Sequence, residues 1–206
     1  MSTMLDIIFA IILGAAILLI VLNANATLRE VWSVYNGDVM VQSALVSNAQ
    51  IIEGEFRNMG CGIDSPSDST IKIALDTCIQ FTRKMRPDNA NVDTIKYFSG
   101  ASSELTSTNN NTDRYLYRQV NSTQPQRVGI ITQFRLKYFN GVGEELATPV
   151  SPSELFTIRI IEVTMYVQSP NAIYRDPSTV KPGEQDAFYS TGLWKQTRLA
   201  SQNLKR

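Results

Sequence analysis

Asp6 is the acid at the edge of the chain's most apolar stretch, Met4 to Leu22 in MSTMLDIIFAIILGAAILLIVLNANATLRE. An ionised carboxylate there costs a few kcal/mol unless a cation meets it. The cation at hand is a chain N-terminus: removal of the initiator Met ahead of a small Ser is expected to leave Ser2-Thr3-Met4-Leu5-Asp6 at the start. The chemistry this suggests is ion pairing and not catalysis. Histidine is absent from the 206 residues, which removes the usual general base and every Ser-His or Cys-His nucleophile. The carboxylates Glu53, Glu55, Glu144 and Glu145 sit as neighbours on a helix or a turn, where they do not flank a cleft as an acid/base pair must; they read as solvated charges or subunit contacts. Asp88, Asn89, Asn91 and Asp93 form an oxygen-rich run that could hold calcium, but an EF-hand loop needs a Gly and a terminal Glu at spacings the run lacks, and a polar turn is the better reading. Tyr189 and Trp194 fit core packing better than an aromatic ligand surface. No phosphate loop, CxxC pair or nucleophile elbow occurs, so neither enzyme activity nor a cofactor is expected.

Cys61 and Cys78 are the chain's two cysteines. In an oxidising compartment they could form a disulfide closing about seventeen residues, a contribution of roughly 3 kcal/mol on a chain-entropy account; two buried unpaired thiols are the alternative. Lys plus Arg and Asp plus Glu each total 19, with no basic block, so no nucleic-acid partner is expected.

The elements that must position Asp6 begin with the apolar stretch itself. No charge occurs from Ile7 to Leu28, and the run approaches the ~20 residues a membrane-spanning helix needs. A cleavable signal peptide is the rival, since Ala24-Asn25-Ala26 resembles an A-x-A site. Beyond Leu22 the sequence turns polar without a Pro until Pro66, while apolar residues recur at Leu28, Val31, Tyr35, Val39, Leu45, Ala49, Ile52, Phe56 and Met59. That spacing predicts a nearly continuous helix from about residue 3 to 58, with Gly37 and Gly54 as weak points and Gly60 and Gly62 as its stop. Its second half is expected to pack on the chain's own sheet; its first half must meet lipid or other copies. After Gly62, short alternating runs predict strands at Ile71–Ala74, Cys78–Thr82, Thr94–Phe98, Arg114–Arg118, Gln133–Phe139 and Phe156–Val167, with a turn at Asn140-Gly141-Val142-Gly143 and loops over 99–111 and 170–186.

These residues carry a resemblance. Ser2-Thr3-Met4-Leu5-Asp6-Ile7 is similar to the Phe-Thr-Leu-x-Glu-Leu start of mature type IV pilins and type II secretion pseudopilins, with Asp6 standing where the family has Glu. Arg57-Asn58-Met59-Gly60-Cys61-Gly62 resembles the Arg-x-x-Gly-Tyr-Gly that ends the helix in W-type minor pilins and J-type pseudopilins. Asp93–Tyr97, Leu116–Val120, Phe134–Gly141, Ile158–Val167 and Arg198–Leu204 follow in the same order. The resemblance implies an α+β, pilin-like fold: a membrane or filament-core helix half over 1–27, an amphipathic half over 28–60 and an antiparallel β head over 61–206. It implies a structural subunit of a type IV pilus-like or pseudopilus filament in the bacterial cell envelope. Its partners are other pilin-like subunits, and before assembly the cytoplasmic membrane, with Ser2, Thr3 and Asp6 at the assembly contact. The alternatives are a membrane-tethered or filament-tip binding module, adhesin-like, and an accessory subunit of a membrane complex.

Overall fold

A computed structural model describes residues 2–63, 70–84, 92–108, 110–170, 173–174, 187–200 and 204. Its first element, α1 (Ser2–Arg57), runs unbroken for 56 residues through Gly37 and Gly54, about 84 Å at 1.5 Å per residue. Continuity follows from a stretch without Pro that is rich in aliphatic residues. The stop follows from Gly60 and Gly62, both at positive φ (71° and 74°), which turn the chain into the head. There the Gly60 N–H donates to the Thr82 carbonyl and the Lys84 N–H to the Cys61 carbonyl, each at 2.9 Å.

The head holds two main antiparallel sheets. The first is a meander, β1 (Ile71–Ala74), β2 (Cys78–Arg83), β3 (Asp93–Ser99), β4 (Arg114–Val120) and β5 (Gln126–Ile131), paired in chain order. The second uses β6 (Gln133–Phe139), β7 (Glu145–Leu146), β8 (Ile160–Gln168) and β11 (Thr191–Leu199), in the order β11-β8-β6-β7. A short ladder joins β9 (Ile173–Tyr174) to β10 (Ala187–Phe188). The α+β arrangement expected from the sequence, one long helix with antiparallel sheets on its C-terminal half, is the one observed. The β6–β7 hairpin turns at Asn140, whose side-chain oxygen accepts the N–H groups of Val142 and Glu144. β8 starts at Ile160 and not at Phe156, because Leu155–Thr157 close into a 3-10 turn. β5 and β11 were not foreseen. Gly129 interrupts the apolar signal of β5, and β11 mixes Gly, Lys and Gln into a pattern that only pairing with β8 makes a strand.

The sheets grip α1 through one stripe. Val41, Leu45, Ala49, Ile52, Phe56 and Met59 are buried, and the Phe56 ring meets Phe81 and Tyr97 edge-on at 5.6 Å each. β11 comes close enough that a Cβ at Gly192 would lie 2.9 Å from a Val41 methyl, so the helix seats where the strand carries no side chain.

The expected disulfide is corrected here: both thiols are free. Cys61 is exposed beside Lys84 at one end of β2, and Cys78 is buried at the other end. The strand between holds them about 20 Å apart at ~3.3 Å per residue, against the ~6 Å between Cα atoms that a bridge allows. Burial pushes the Cys78 thiol pKa up, and the nearby Lys96 only partly offsets it.

Candidate assembly surface and its joint to the head

From Thr3 to Ser33 every residue of α1 is exposed. Thr3 and Asp6 stand on this bare rod, one turn apart with Ser2, and Met4 to Leu22 is long and apolar enough to cross a membrane. No described residue of the head therefore contributes to the surroundings of Asp6.

The apolar surface does not stop where a bilayer would. Leu28, Trp32, Tyr35, Val39 and Val46 are 50 to 62% exposed, and Val46 lies about 36 Å beyond Leu22 along the axis. The sequence reading joins Leu28, Val31, Tyr35 and Val39 to the core stripe. The structure separates them, because the face turned to the head runs back through Leu45, Val41, Gly37 and Val34. At about 100° per residue, Leu28, Trp32, Tyr35, Val39 and Val46 form a second stripe roughly 140° around the axis from it, which no described part of the head covers.

Where α1 enters the head its last turns carry a charge cluster that sequence reasoning missed. Glu55, expected to be solvated, is only 15% exposed. Arg118 of β4 grips its carboxylate with Nε at 2.9 Å and Nη2 at 2.6 Å, Arg83 of β2 donates through Nη2 at 3.0 Å, and the Tyr97 hydroxyl of β3 donates at 2.6 Å. Burial pushes the Glu55 pKa up, but hydrogen bonds from Arg118 and Tyr97 and the charges of both arginines outweigh it and hold the carboxyl below its ordinary value. Burial and the hydrogen bond to Glu55 push the Tyr97 phenol well above its ordinary value. The spacing Ile52, Glu55, Phe56, Met59 placed Glu55 on the core face, which is the signal that could have found it. One carboxylate thus ties the helix to three strands, fixing the roll and axial position of α1 against the first sheet. Glu53, by contrast, pairs along the helix with Arg57, Glu145 pairs with Lys137 at 2.9 Å, and Glu144 accepts from Asn140.

Of the calcium candidates, Asp88, Asn89 and Asn91 lie outside the described residues. Asp93 opens β3 and accepts from the Asn121 side chain at 2.9 Å. Trp194 is half-buried against the core. A second acid went unnoticed in the sequence: Asp113, fully buried before β4, whose Oδ1 accepts from the Thr132 hydroxyl at 3.4 Å while Oδ2 has no hydrogen-bond partner among the described residues. Burial raises its pKa more than the hydrogen bonds from Thr108 and Thr132 lower it.

No protein-family model matches the chain, and no curated protein does. Among solved structures, a type IV-like pilin from Thermus thermophilus aligns with 12% identity and a TM-score of 0.46, over 80% of this chain and 98% of that one.

Proposed function

We propose that the chain is a structural subunit of a type IV pilus-like or pseudopilus filament of the bacterial cell envelope. The observation that carries this is the second apolar stripe of α1. A membrane tether accounts for Met4 to Leu22 but not for Leu28, Trp32, Tyr35, Val39 and Val46, exposed beyond the length a bilayer covers. Such a surface is stabilised when helices of several subunits pack together and remove it from water. The helix is held in the cytoplasmic membrane before assembly, with the head on the outer side, and afterwards lies in the filament core. The order of motifs described above, which resembles that of the W-type minor pilins and J-type pseudopilins, supports this reading.

In this reading Asp6 receives the α-amine of a neighbouring subunit at Ser2, with Thr3 beside it. A buried pair of this kind sets axial register more than it adds stability, because each ion loses its water on entry. The test is Asp6→Ala in cells. The variant is expected to insert in the membrane at the wild-type level and to be depleted in the sheared extracellular filament fraction. Incorporation equal to wild type would overturn the role of Asp6, and absence of the wild-type chain from any filament would overturn the subunit assignment.

A further inference from the structure

The head has two poles, set by how its strands run along α1. Gly192 of β11 lies against Val41 and Leu45, and the Gln196 amide reaches Glu53 at 3.5 Å, so β11 runs in the direction of the helix. β8 is antiparallel to β11, and β6 to β8. Gln133 and Gln168 therefore stand at the base, toward the N-terminal half of α1, and Phe139 and Ile160 at the tip. The nine residues of β8 hold the poles about 30 Å apart at ~3.3 Å per residue.

Each pole carries an uncovered feature. At the tip, Val142 of the β6–β7 hairpin is 85% exposed, and Phe156, in the turn before β8, is 64% exposed. Arg159 lies between them: its Cγ is 3.6 Å from where a Cβ at Gly141 would be, and its Nη1 donates to the Phe156 carbonyl at 2.7 Å. Glu144 and Glu154, both exposed, stand within two residues of the apolar pair. At the base, an open cleft of about 520 Å³ is lined in part by Asp76, Thr112, Arg114, Thr132, Arg135 and Gln168. It forms where the β1–β2 turn meets the starts of β4 and β6, and the Leu136 N–H fixes that meeting by donating to the Asp76 carbonyl at 2.7 Å. The cleft has two guanidiniums against one carboxylate. The tip has the reverse, Glu144 and Glu154 against Arg159, with Glu145 already matched by Lys137.

From this geometry we infer that the tip hairpin of one copy seats in the base cleft of the next. Val142 and Phe156 enter against the cleft wall, Glu144 and Glu154 face Arg114 and Arg135, and Arg159 meets Asp76. The occupant is a second copy of this chain because the two charge balances are opposite and lie at opposite poles of one molecule. A tip cannot reach its own base. A contact between unlike patches also does not close on itself as a two-fold dimer does, so each added copy leaves a fresh tip and a fresh base. The result is head-to-tail growth along the direction of α1. The inference rests on the filament-subunit reading above and names the contact its heads make. A polyanion fits less well, since it fills the cleft and leaves the apolar tip in water. An apolar helix is a poor match for the polar lining.

The test uses single cysteines in a Cys61→Ser background. One full-length chain carries Val142→Cys and another Thr112→Cys; the two are co-expressed and treated with a short bis-maleimide. A mixed dimer is expected, and a chain with both substitutions should give a ladder. Reversing the cleft (Arg114→Glu with Arg135→Glu) or the tip (Glu144→Arg with Glu154→Arg) should lower the yield on the order of tenfold. Combining the two reversals should restore it, which separates a lost contact from a misfolded variant. Three results would overturn the inference: no mixed crosslink, crosslinks only between like sites, or a yield that ignores both reversals or is not recovered when they are combined. The crosslink is read in the sheared extracellular fraction and in detergent-solubilised chain at high concentration. Filaments that contain the wild-type chain without the mixed crosslink overturn this contact and leave the subunit reading standing. A mixed crosslink in detergent with no filament in cells does the reverse.

Discussion

The two halves of α1 obey opposite rules. In the N-terminal half apolar side chains face outward on every side, and the one acid, Asp6, has no partner among the described residues of the head. In the C-terminal half one apolar face packs on the head while a second stays exposed, and the acid on the packed face, Glu55, is buried among two guanidiniums and a phenol. The same element is thus finished at one end and unfinished at the other. What the contrast teaches is where stability and assembly reside. The head is stabilised by its own contacts on residues from about 41 onward, whereas the apolar surface before that is left uncovered by the described residues.

The largest effect is expected from removing the carboxylate at the finished end. Glu55→Ala leaves Arg83 and Arg118 desolvated without their anion, and breaking a buried pair in this way costs about 3–5 kcal/mol, read by denaturant unfolding of the chain in nanodiscs. A loss under about 1 kcal/mol would show that water reaches the cluster and that the joint is no firmer than a surface pair. Next in size is Gly192→Ala. Its Cβ would press on Val41 at 2.9 Å, and overpacking of this sort costs about 1–3 kcal/mol unless α1 shifts away from β11. Unfolding and a crosslink between α1 and β11 distinguish the two outcomes.

Acid sharpens the same comparison. The Glu55 pKa is lowered in the fold, so its contribution is complete above the ordinary glutamate value of about 4.5 and is lost as pH falls through the lowered one. Asp113 runs the other way. Its pKa is raised, so the cost of burying its charge is relieved as pH falls. The difference in stability between wild type and Glu55→Gln should therefore shrink below about pH 4.5 and stay constant above it. A difference flat through the acid range would remove Glu55 from the account. The smallest effect on folding is expected at the unfinished end. Val39→Glu lies on the exposed stripe and should change head stability by no more than about 0.5 kcal/mol, while reducing recovery in the filament fraction. Full recovery would leave that stripe without an assembly role.

Much of this was legible beforehand because it is local. The helix was written in an unbroken run without Pro and ended by Gly60 and Gly62. The strands β1, β2, β3, β4 and β6 were written in alternation, and the Asn140 turn in its own side chain. The stripe from Leu28 to Met59 was only half legible. Apolar residues at three- and four-residue steps can trace either of two neighbouring faces, and only the position of the head shows that Leu28, Trp32, Tyr35 and Val39 belong to the uncovered one. β11 was missed because a strand held by its partner needs little apolar signal of its own.

By itself the sequence determined the length of α1, its membrane-compatible N-terminal half, the absence of histidine chemistry and the α+β character of the head, all of which rest on residues a few positions apart. Only the tertiary structure decided that Glu55 is a buried joint, that Cys61 and Cys78 are kept at opposite ends of β2, that Gly192 makes room for Val41, and that Asp76, Arg114 and Arg135 line one cleft. Each of those joins residues distant in the chain. Strand register and the seating of the helix set such distances, and both are products of the whole packed core and of no single segment.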